Sequence, residues 1–90
     1  MPTISRFFGI ERSMDYREHG PPHFHVDYGE WAATFSIATL EVLAGRLPRR
    51  VQAMALEWAM MHRPELRENW MRAQRRKPLT TIPGLDEESE

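Results

Sequence analysis

The sequence predicts an α+β fold, with an N-terminal antiparallel sheet of four to five short strands followed by two C-terminal helices packed on one face. Two patterns point to it. From Thr3 to about Gly45, apolar and polar residues alternate with period two between turn signals, as half-buried strands require. From Pro48 to about Lys77 the apolar spacing becomes three and four, which lines one face of a helix. A chain of 90 residues closes one hydrophobic core. A single domain over residues 1–77 is expected, with 78–90 an extended to disordered acidic tail.

In the first strand Ile4, Arg6 and Phe8 alternate with Ser5 and Phe7, and Gly9 breaks the run. Ile10, Met14 and Tyr16 then alternate with Glu11, Ser13 and Asp15, completing a hairpin. Pro21-Pro22 forces a turn, because each ring fixes φ and removes a donor, so the third strand begins at about His23. Along it Phe24, Val26 and Tyr28 share one face, and His23, His25 and Asp27 the other. Gly29-Glu30 is a tight turn into Trp31, Ala33, Phe35 and Ile37, opposed by Ala32, Thr34 and Ser36. A short strand from Glu41 to Ala44 follows, ended by Gly45. Pro48 opens a helix whose stripe is Val51, Met54, Ala55, Trp58 and His62. Pro64 disfavours helical geometry at Arg63, so a break belongs there, and Leu66, Asn69, Trp70 and Ala73 continue the stripe.

Without cysteine there is no disulfide framework and no thiolate zinc site. No apolar run approaches the roughly 20 residues that span a bilayer, and the N-terminus shows no signal pattern, so a cytoplasmic protein without a membrane partner is expected. The net charge of -1 hides an asymmetry, since Asp86, Glu87, Glu88 and Glu90 crowd the end of a chain otherwise richer in bases, mostly arginine.

Chemistry concentrates in His19-Gly20-Pro21-Pro22-His23-Phe24-His25. Two residues apart on a strand, His23 and His25 project from one face with β-carbons roughly 7 Å apart. With His19 across the double-proline turn and Asp27 or Asp15 nearby, they form a candidate ligand set for zinc or another divalent metal. The same imidazoles suit paired acid–base catalysis near neutral pH, such as RNA cleavage beside a 2′-hydroxyl, with Arg17, Arg49 or Arg50 facing the phosphate. The bland alternative is a rigid turn whose histidines bond the backbone. His62 joins the cluster only if the helices cover the His23 side of the sheet, and the more apolar Phe24 set argues that they cover the other. Arg72, Arg75, Arg76 and Lys77 make the last helical turns basic, either as favourable charge at a helix C-terminus or as a footprint for nucleic acid or an acidic partner.

These residues resemble the short bacterial proteins of domain-of-unknown-function family 4160. The match runs through Pro2 to Ile10, His19 to His25, Tyr28-Gly29-Glu30, Gly45 to Pro48, Glu57-Trp58-Ala59 with His62, and Glu65-Leu66 with Asn69-Trp70, covering the chain to about Ile82. Gly20 stands where the family has asparagine, and Pro64 interrupts a usually more continuous helix. The resemblance implies half of a two-gene module, often beside a family 2442 protein, of a kind proposed as toxin–antitoxin pairs. Three expectations result. One is a toxin-like protein acting on RNA or translation through His19, His23 and His25, with His62 as a conditional member. Another is a histidine-ligated metal domain. The last is a non-enzymatic interaction module using the sheet edge or the arginine-rich helix, with a homodimer through strand edges as a further arrangement.

Overall fold

A computed structural model describes residues 3–14 and 20–84. Strands β1 (Thr3–Phe7), β2 (Ile10–Ser13), β3 (His23–Tyr28), β4 (Trp31–Ser36) and β5 (Val42–Arg46) form one antiparallel sheet in sequential order. Helices α1 (Arg49–Met61) and α2 (Arg63–Gln74) follow. This is the α+β arrangement the alternating and helical periods predict.

The core lies between the sheet and the helices, where Phe24, Val26 and Phe35 meet Val51, Ala55, Trp58 and Leu66. The helices therefore cover the Phe24 side, as the apolar character of that face requires. The Trp58 ring sits 5.9 Å from that of Phe24, which stacks on Phe35 across the β3–β4 pair.

Several local features depart from simple alternation. β1 and β2 join through Phe8 and Gly9 at φ 50° and 74°, the two positive angles that a twisted two-residue hairpin turn needs. Phe8 is thus a turn residue with 59% exposure rather than a strand partner of Ile4. A register shift between Thr3 and Ser5 inserts Ile4 as an extra residue, so that Ile4 and Phe7, three apart, are both buried. β2 ends at Ser13; Asp15 and Tyr16 lie outside the described residues. β5 does not stop at Gly45 but continues through it to Arg46, because glycine alone accepts φ 74° there against the Ala32 carbonyl.

The helical break falls at His62, one residue before the expected Arg63. Pro64 occupies the first turn of α2, where its missing N–H costs nothing. Residues 78–84 are extended but packed: the Ile82 amide bonds the Ile4 carbonyl at 2.7 Å, and the buried Asn69 exchanges two hydrogen bonds with the Thr80 backbone. Trp58 Nε1 donates to the Pro83 carbonyl at 2.8 Å. This segment thereby meets edge strand β1 at Ile4.

Candidate functional site

β3 delivers the histidines. His23 pairs with Ser36 and His25 with Thr34 across β4, and the two imidazoles meet edge to face with centroids 5.2 Å apart. His23 is 8% exposed. Its Nδ1 donates to the Pro21 carbonyl at 2.9 Å, which fixes the protonated nitrogen and ties the ring to the double-proline turn. Trp70 of α2 covers it from the other side, with ring centroids 5.0 Å apart. His25 is more open, and its Nδ1 shares a 3.1 Å hydrogen bond with the Thr34 hydroxyl.

The other candidates are distributed elsewhere. His19, Asp15 and Arg17 lie outside the described residues. Asp27 follows His25 on the same face of β3. His62 is buried at the joint between the helices, on the Phe24 side, with its ring 5.7 Å from Trp58 and Nδ1 3.0 Å from a Glu65 oxygen. Among the described residues no three histidine, aspartate or glutamate side chains are grouped so that they could hold a metal ion. Asn69 of α2 is committed to Thr80.

Arg72 is held by Glu68 at 3.1 Å, and Arg75, Arg76 and Lys77 are exposed where α2 unwinds. Glu68 and Met71 share the shallow hollow lined by Arg72, Arg75 and Lys77, so this surface is amphipathic rather than a continuous cationic track.

Two features escape a motif search. One is Arg12, fully buried in the core. Its guanidinium lies 3.6 Å from the Phe7 ring centroid and 4.5 Å from that of Trp58, and donates to the Ile10 carbonyl at 2.8 Å and Ser5 Oγ at 2.5 Å. The signal was present in strand parity, since Ile10, Arg12 and Met14 share a side.

The other is β5, exposed at every residue, with Val42 at 39% and Leu43 at 46%. Two adjoining depressions flank it on the sheet. One, of about 310 Å³, is lined by His25, Asp27, Thr34 and Ala44; the other, of about 540 Å³, by Glu30, Trp31 and Arg46; Ala32 and Gly45 line both. The Arg46 guanidinium sits over the Trp31 ring at 5.4 Å.

The model of the family described as Domain of unknown function (DUF4160) matches residues 9–71. No curated protein and no solved structure matches the chain.

Proposed function

The chain belongs to the DUF4160 family, and from its geometry we propose that it is a protein-binding module, one half of a two-protein pair, which takes its partner on the β5 edge. The observation that carries this reading is the asymmetry of the sheet's two edges. The β1 edge is met by the 78–84 segment at the Ile82–Ile4 hydrogen bond. The β5 edge has no such cover among the described residues, and apolar side chains stand exposed along it. An uncovered edge offers backbone donors and acceptors to an added strand, and native proteins usually blunt such edges. A bulge at Leu43, between Val42 and Ala44, interrupts the β4–β5 register.

Trp31 beside Arg46 supplies the aromatic and guanidinium pair typical of interface anchors. The nearby charges are of mixed sign, Asp27, Glu30 and Glu41 against Arg46, which suits a protein surface better than a phosphate backbone. The test is Leu43→Lys, a substitution at an exposed position, assayed by co-purification with the product of the neighbouring gene. Loss of the complex with an unchanged unfolding transition is expected. A complex of undiminished affinity defeats the proposal.

The proximity of His23 and His25 favours a second reading, toxin-like action on RNA, in which one imidazole takes the 2′-hydroxyl proton and the other returns one to the departing 5′-oxygen. Equal effects on host growth from the wild type and a His23→Ala, His25→Ala variant would remove it.

A further inference from the structure

We propose that the pocket between the β1–β2 turn and the start of α1 binds a small carboxylate with an apolar body. The pocket encloses about 370 Å³ and is lined by Phe8, Ile10, Tyr28, Arg50, Val51 and Met54, none of which lines the depressions beside β5. Ile10 and Val51 are buried and form an apolar floor, while Phe8 and Tyr28 stand exposed around it. Ligand pockets run from roughly 300 to 1,000 Å³. This one lies near the lower end, which suits one compact apolar body and excludes a dinucleotide.

The charge at the pocket is contributed by Arg50, which makes no ion pair with any described residue. The first turn of α1 contains no acidic residue, and Pro48 supplies no side-chain cap, so the local field is positive and an anionic head is the complementary group. A carboxylate satisfies the guanidinium fork in a way that a hydroxyl cannot.

Phe8 forms part of the pocket wall. At φ 50° it occupies a left-handed position that a hairpin turn normally gives to asparagine, aspartate or glycine. Here it places an aromatic ring, 59% exposed, at the lip of the pocket beside Tyr28.

The test is titration of the intact chain with octanoate, followed by NMR of the Met54 and Val51 methyl groups, with octanol as the uncharged control. Saturable shifts with octanoate and weaker binding of octanol are expected. Arg50→Gln should weaken octanoate binding by about fivefold, the scale of one solvent-screened ion pair. Phe8→Asn should also weaken it while raising the melting temperature, a combination that a purely structural Phe8 would not produce. Octanol binding as tightly as octanoate, an unaffected Arg50→Gln variant, or no saturable shift in the wild type would each overturn the proposal.

Discussion

Replacing Gly45 with alanine tests how β5 is held. An ideal Cβ at Gly45 would stand 2.2 Å from the Ala32 carbonyl oxygen, 3.0 Å from Ala33 Cα and 3.1 Å from Ala32 C. All three atoms are β4 backbone, so no side chain can rotate away. The substitution carries two costs. Holding alanine at the left-handed φ of 74° costs about 1–2 kcal/mol. Relieving the clash means lifting β5 from β4 and weakening two or three ladder hydrogen bonds, each worth about 0.5–1.5 kcal/mol. The sum is about 2–6 kcal/mol, a large share of the roughly 5–15 kcal/mol typical of a domain. At about 4–8 °C per kcal/mol, the melting temperature should fall by on the order of 10–50 °C. Gly29 provides the control, because at φ 57° with no atom within 4 Å its alanine variant bears the conformational cost alone. Urea denaturation followed by tryptophan fluorescence measures both variants. Equal losses for Gly45→Ala and Gly29→Ala would refute the close-approach argument.

Other substitutions probe the remaining supports. Arg12→Ala removes two buried hydrogen bonds and the contacts with Phe7 and Trp58, and should cost about 3–5 kcal/mol by chemical denaturation; a loss under about 1 kcal/mol contradicts the role assigned to it. Asn69→Ala deletes both bonds to Thr80, at about 2–4 kcal/mol, and should expose residues 78–84 to proteolysis and speed exchange of the Ile82 amide. Unchanged exchange at Ile82 would show that Asn69 does not anchor the segment. The Glu11 carboxyl is held below its ordinary 4.5 chiefly by the Thr3 hydroxyl, aided by the charge of Arg6. Because its folded pKa is lowered, its contribution is present above the unfolded value and lost as pH falls through the folded one. Glu11→Gln should therefore flatten the acid limb of the stability profile slightly, by under about 1 kcal/mol for so solvated a pair. An identical acid limb in the variant would count against the linkage.

Much of the fold was legible because the physical rules involved are local. The period-two pattern through Phe24, Val26 and the facing Phe35 located the central strands, and the stripe Val51, Ala55, Trp58 located α1. The boundaries that moved were governed by contacts distant in sequence. Gly45 looks like a strand terminator until the Ala32 carbonyl beside it is known, and residues 78–84 look like tail until Asn69 and Ile4 supply partners for their backbone. His23 and His25 were placed together by strand parity alone, whereas the Trp70 ring over His23 depends on how α2 passes the end of β3. Arg12 was hidden by its chemistry, since a charged residue on an apolar face reads as an exception until two rings and two acceptors are seen around it. Exposure of β5 was illegible for a similar reason. Apolar residues mark strands, but which strand ends a sheet is decided by topology.

Amide hydrogen exchange of the chain alone and in complex with its partner tests the central claim most directly. Protection gained across Val42 to Arg46, with the Ile82 amide unchanged, is the result that strand addition at β5 predicts. Protection confined to the end of α2 around Arg72 to Lys77, with β5 exchanging as fast as in the free protein, would contradict it.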